Sequence, residues 1–318
     1  MEFLATAVHY GNIAFTIILS ILGAGFGAGY ASVRALHAIN MQPKAHKEIT
    51  KAAMIGLALV ETGSILSLIV CLFMIAHPPT TLAMALGEIG TALSLGLSAC
   101  IIGLVSSLPI ESTCLSIARQ PFFSQKIINL MLITQTIMQT AAIFGFIIGL
   151  FFIQFSLTPA MSVEYALSLA CAGFAIGFGS LGPAIGLARF AQAICLSAGV
   201  NRKRYPRLIS FAFMAGAIIE TPLIFALLVS IVISIYAVTA QSFMDVVRML
   251  AASLCISLAT FMGGHASSLT ARAASEQMPL TKTEPGMLSQ TSLITQGIID
   301  TSAIYALLVS VALVLFIK

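Results

Sequence analysis

Four polar side chains stand in the middle of long apolar runs: Glu61, Gln139, Glu220 and Asp300, separated by 78, 81 and 80 residues. Each is followed by a threonine (Thr62, Thr140, Thr221, Thr301), within the segments "LALVETGSILSLIV", "QTIMQTAAIFGFII", "GAIIETPLIFALLV" and "QGIIDTSAIYALLV". A charged group at the centre of a membrane helix costs about 2.5–3.5 kcal/mol even on the mildest insertion scale. Burial in hydrocarbon therefore favours a carboxyl that is protonated or neutralised by a bound cation. No lysine or arginine falls near the middle of any apolar run, so the chain supplies no permanent counter-charge. Such groups can load and unload a proton or cation, and each charge moved across 100 mV is worth about 2.3 kcal/mol. Gln139 cannot ionise and marks a degenerate second site.

The elements that hold these groups are membrane helices. Of 318 residues, 59% are apolar and 8% charged, with a mean hydropathy of +1.04. Soluble domains carry about 25% charged residues, so that class is excluded. Apolar runs long enough to cross a bilayer predict helices over 10–38, 51–77, 84–110, 125–155, 162–198, 207–238, 243–274 and 287–317. The even-numbered helices carry the polar centres. The odd ones carry small residues, as in "GAGFGAGYA", "GFGSLGPAIG" and "MGGHASS", which let membrane helices approach closely. No strand precedes these glycines, so a nucleotide-binding loop is excluded. The chain is four tandem helical hairpins, with expected boundaries 1–80, 81–159, 160–240 and 241–318. Parallel hairpins suit repetition around an axis, not the inverted repeats of many secondary transporters.

The connections containing "NMQPKAHKE", "ARQPFFSQK", "AGVNRKRYPR" and "ASEQMPLTKTEPG", with adjoining helix ends, hold thirteen of the fifteen basic residues; Arg248 and Lys318 are the others. The positive-inside rule places these loops in the cytoplasm and both termini on the opposite side of the membrane. The first apolar segment reads as a retained span and not a signal peptide. The six cysteines, without CxxC spacing, read as packing residues. Glu88, Glu164 and Asp245 recur near the starts of helices 3, 5 and 7, where they complement the helix dipole. Pro222 leaves the Ile218 carbonyl without its helical donor, kinking helix 6 or shaping the Glu220 site.

At these residues the chain resembles the c subunit, or proteolipid, of the rotary ATP synthases. "ARQP" at 118–121 matches that family's polar loop, "MQP" at 41–43 matches it in part, and "IIDTSAIYALLV" and "LVETGSIL" look like its carboxylate helix. The resemblance extends over the whole chain as four fused copies and implies an all-α membrane protein forming an arc of a rotor ring. Ion flow past stator subunit a, which supplies an arginine, would turn the ring and the central stalk. Glu61, Glu220 and Asp300 would bind the ion, with Thr62, Thr221, Thr301, Gln296 and Tyr305 as supporting ligands. Gln42, Pro43, Arg119, Gln120 and Pro121 would face the stalk. The chain would catalyse no covalent chemistry and need no cofactor or resident metal; lipid, and no nucleic acid, would be its other partner. The "ARQP" loop favours the bacterial F-type branch and hence a bacterial inner membrane, although site-deficient fusions are commoner in the vacuolar type.

Three chains would make a ring of twelve hairpins with nine carboxyl sites; two would give eight with six. Three are favoured. In sodium-selective members a glutamine on the glycine-rich helix ligates the ion. The matching positions hold Ala28, Ser106, Leu187 and Gly264, so protons are expected over sodium. Gln296, one turn before Asp300, is placed to hydrogen-bond it. Two other function classes stay open on sequence: a secondary cation or multidrug transporter, and a purely structural membrane oligomer.

Overall fold

The computed structural model describes residues 2–158, 160–281 and 285–316. Lys282 and Lys318, counted in the charge placement above, lie outside them. Among the described residues, eight helices are long and apolar enough to span a membrane: α1 Phe3–Met41, α2 Pro43–Ala76, α3 Leu82–Arg119, α4 Pro121–Ser156, α5 Val163–Val200, α6 Arg202–Thr239, α7 Phe243–Gln277 and α8 Gly286–Leu315. The chain is an integral, multi-pass, all-helical membrane protein built of hairpin pairs.

The helices stand in two rows. α1, α3, α5 and α7 pack side by side in that order; α2, α4, α6 and α8 form a second row against them. Small residues make the first row possible. A Cβ added at Gly27 would collide with the Gly103 carbonyl, and one at Gly173 with the Gly90 carbonyl. Backbone meets backbone along these seams, a closeness that larger side chains forbid. The fifth span, α5, is enclosed by neighbours, whereas α1 and α8 are the most open spans. The rows thus end in two unpartnered edges, α1/α2 and α7/α8.

The loop ends differ from expectation in length. The helices run on through most of the polar residues read as connections, and the turn shrinks to a few residues. Gln42 and Gln120 leave the helix at φ −141°, ψ 79° and φ −136°, ψ 69°, followed by short 3₁₀ turns at Pro43–Ala45 and Pro121–Phe123. Proline lacks an amide hydrogen, fixes φ and suits the first position of a new helix. Asn201 repeats the geometry at φ −142°, ψ 96°. Neighbouring tips are tied together: Gln120 Nε2 donates to Gly199 O (2.7 Å) and Asn201 Nδ2 to Pro279 O (3.2 Å). Arg119 is exposed at this end.

Candidate functional site

Glu61, Gln139, Glu220 and Asp300 each lie nineteen residues after a hairpin tip, at Gln42, Gln120, Asn201 and Thr281. At 1.5 Å per helical residue that places the first three about 28 Å from their tips. The backbone relaxes at this level. Glu61 and Gln139 (ψ −12° and −17°) interrupt their helices, as do Ser106 and Ser180 on α3 and α5 (ψ −17° and −22°). An ordinary α-helix has ψ near −42°.

The four niches differ in enclosure. Asp300 is 6% exposed, and Ser267 of α7 is its neighbour. Asp300 Oδ1, Gln296 Oε1 and Ser267 Oγ are all buried without a hydrogen-bond partner. Close by, Pro222 of α6 and Ala303 and Ser302 of α8 bound the space over Gly263, 3.7–4.0 Å from where a Cβ would stand. Pro222 thus packs at the boundary between the third and fourth repeats. Glu220 is half-buried, with Thr140 of α4 beside it. Gln139 is 4% exposed; its Nε2 donates to Leu59 O on α2 (2.9 Å), and its Oε1 has no partner. Glu61 is exposed. It lies on a hollow of about 420 Å³ at the free edge, lined by Ile17, Ile21, Gly25, Ser64 and Leu68 among others.

The supporting residues are placed unevenly. Thr221, Thr301 and Thr140 donate to carbonyls of their own helices, Ala217 O (3.1 Å), Ile298 O (2.7 Å) and Ile137 O (2.7 Å). Each hydroxyl proton is thereby committed, and only oxygen lone pairs remain for an ion or another donor. Thr62 is half-buried beside Glu61. Gln296 turns its amide away from Asp300 and donates to Ser292 Oγ (2.9 Å). Tyr305 is 66% exposed on the α8 edge. Sequence reasoning missed Ser267 and the placing of Thr140 against the following repeat. Both sit across a helix seam, and only the fold brings them to the carboxyls.

Two further acids depart from the dipole reading or escaped notice. Glu88 is buried and paired with His9 of α1. Glu111 of α3 accepts from Arg34 Nε (3.1 Å), Tyr30 Oη (3.3 Å) and Gln192 Nε2 (3.3 Å), joining three repeats near the loop end. Asp245 does cap its helix, in a reciprocal box with Ser242, and Glu164 lies in the first turn of α5. The six cysteines are free.

Tandem hairpins with acids recurring at one level of the second helix define a class of repeat-built membrane proteins. The family model for the C subunit of ATP synthase matches residues 13–74 and 170–233, the first and third repeats. The chain belongs to this family. It is 35% identical over 89 residues to the ATP synthase c subunit of Citrifermentans bemidjiense, covering 28% of this chain and 96% of the relative. It is 34% identical over 76 residues to ATP synthase c subunit 2 of Pelobacter propionicus, 24% of this chain and 84% of the relative. Against the ATP synthase c subunit of Mesomycoplasma hyopneumoniae it is 40% identical over 58 residues, 18% of this chain and 57% of the relative's length.

Proposed function

We propose that this chain is the ion-carrying rotor subunit of a rotary ATP synthase, with Glu61, Glu220 and Asp300 carrying protons. Copies of the chain close into a ring, three favoured and two the alternative. A stationary subunit a supplies the arginine that the spans lack, and the hairpin tips around Gln42, Pro43, Arg119, Gln120 and Pro121 meet a central stalk. Proton flow turns the ring and drives ATP synthesis, or hydrolysis drives the reverse. The chain makes and breaks no covalent bond itself. The loops face the cytoplasm of a bacterial cell in this reading.

The observation that carries the proposal is the recurrence of acids nineteen residues from three of the four tips, without an ion pair among the described residues. Gln139 supports the chemistry of the neutral state. Its amide donates to Leu59 O, two residues before Glu61 on the preceding repeat. A protonated carboxyl has one O–H donor and can make the same bond; an ionised carboxylate has none. The equivalent acceptor for Asp300 is Ile218 O, freed by Pro222. Losing its proton therefore removes a bond and leaves a charge in hydrocarbon, which water and an arginine at the stator would stabilise. The outward Tyr305, with Ala28, Leu187 and Gly264 where sodium-selective members carry a glutamine, leaves few oxygens for sodium, which supports protons over sodium.

Labelling of the intact assembly with a hydrophobic carbodiimide tests this reading. Glu61, Glu220 and Asp300 should be modified, and modification should fall as pH rises. Sodium protection at fixed pH would assign sodium as the carried ion. Labelling that ignores both pH and sodium would sink the proposal.

A further inference from the structure

Near the end of the helices that carries the chain termini, His9 Nδ1 lies 2.9 and 2.8 Å from Glu88 Oε1 and Oε2. Both residues are 2% exposed. The pair joins α1 to α3, the first repeat to the second, and Asn12 Nδ2 donates to Ala85 O (2.8 Å) beside it. A cavity of about 260 Å³ reaches Glu88 between the ends of α2, α3 and α4, walled by His77, Pro78, Met84, Ile153 and Leu157. On the α5 side the neighbours are apolar: Leu157, Met161 and Leu169 stand over Gly87. The titratable groups here are thus His9, Glu88 and His77, with Tyr10 against the His9 ring. Nothing in the mid-membrane row touches them.

We propose that His9 and Glu88 form a proton-binding site separate from the mid-membrane row, loaded through the cavity beside His77, that clamps the first two repeats together. One shared proton makes the pair neutral overall, as imidazolium with carboxylate or as imidazole with carboxylic acid. A second proton leaves a net positive charge between α1 and α3; removal of the only proton leaves a net negative one. Either charge is buried without a counter-charge, a strongly unfavourable arrangement. The seam is therefore tightest while one proton is held and loosens on both flanks of that range. No such ion pair joins α3 to α5 or α5 to α7 among the described residues, so the clamp is particular to one seam of the four-repeat chain.

The two flanks separate the roles of the partners. In the intact assembly, the thermal midpoint should fall by about 2–4 °C on both the acid and the alkaline side of the wild-type plateau. His9→Asn should abolish the acid fall and keep the alkaline one. Glu88→Gln should do the reverse, and the double variant should lose both. Wild-type protein labelled with ¹⁵N-histidine needs no substitution: the His9 ring signal should shift on both flanks. A His9 signal flat through both falls, or parallel profiles for wild type and double variant, overturns the clamp. Neither outcome bears on the carbodiimide result for Glu61, Glu220 and Asp300, which tests the rotor reading separately.

Discussion

Asp300 and Glu61 belong to the same repeat position and live in opposite surroundings. Asp300 is shut between its own hairpin and the third repeat, with Ser267 and Gln296 as buried polar neighbours. Glu61 faces an open hollow on α1 and α2, with no other hairpin packed over it among the described residues. The niches of Gln139, Glu220 and Asp300 are each closed by the hairpin before them, and that of Glu61 is open. The same contrast appears in the glycines of α1. Gly23 and Gly27 are pressed against Cys100 and Gly103, while Gly25 and Gly29 have nothing within 4 Å of an added Cβ. One face of α1 is spent on α3, and the other has the same fine texture with no occupant.

The largest expected effect comes from erasing the comparison. Replacing Glu61 and Glu220 with glutamine and Asp300 with asparagine together should reduce coupled ion flow and ATP turnover in reconstituted vesicles to background. Gln139 already shows that one amide fits the fold at this level, so the assembly should still form. Retained coupling in the triple variant would remove the carboxyls from the mechanism.

The two faces of α1 give the next test. Gly27→Leu forces a side chain into the Gly103 carbonyl and should destabilise the isolated chain by about 1–3 kcal/mol or more. Gly25→Leu should leave the isolated chain's thermal midpoint near wild type, yet shift native mass from closed assemblies to single chains. If both substitutions act alike on the isolated chain, the open face is not an unfilled seam.

Much of this was legible in the sequence, for reasons that differ between levels. The eight spans follow from apolar length, and the four polar centres from a polar residue and threonine in fixed register. The glycine segments announced a tight row. The loop ends were misjudged because polarity marks exposure to water and not loss of helix: residues such as Lys47 and Arg119 are charged yet helical. Glu88 near a helix start read as a dipole partner, whereas its burial depends on His9, 79 residues earlier, meeting it across a seam. Ser267 carries no local signal among so many buried serines. Pairings between repeats depend on how the hairpins lean together, and single-chain periodicity holds no record of that angle.

Reactivity sharpens the contrast between edge and interior. In single chains dispersed in detergent, carbodiimide should modify Glu61 fastest, Glu220 more slowly and Asp300 slowest, following their exposure. Assembly should slow Glu61 most. An unchanged rate at Glu61 on assembly would mean that no neighbouring copy covers it.

The smallest effect is expected at Ser267. Its hydroxyl is buried beside Asp300 and makes no hydrogen bond of its own, so Ser267→Ala removes a polar atom whose bonding potential is unmet. A satisfied buried hydroxyl contributes roughly 1 kcal/mol, and an unsatisfied one costs stability instead. The variant's thermal midpoint should therefore stay level or rise slightly, while the rate of carbodiimide labelling of Asp300 at fixed pH changes, because the hydroxyl beside the carboxyl is gone. Ser267→Cys, of similar size with a weaker donor, should fall between the two. A drop in midpoint without a shift in labelling would make Ser267 a packing residue, and the difference between the fourth site and the first would then rest on enclosure alone.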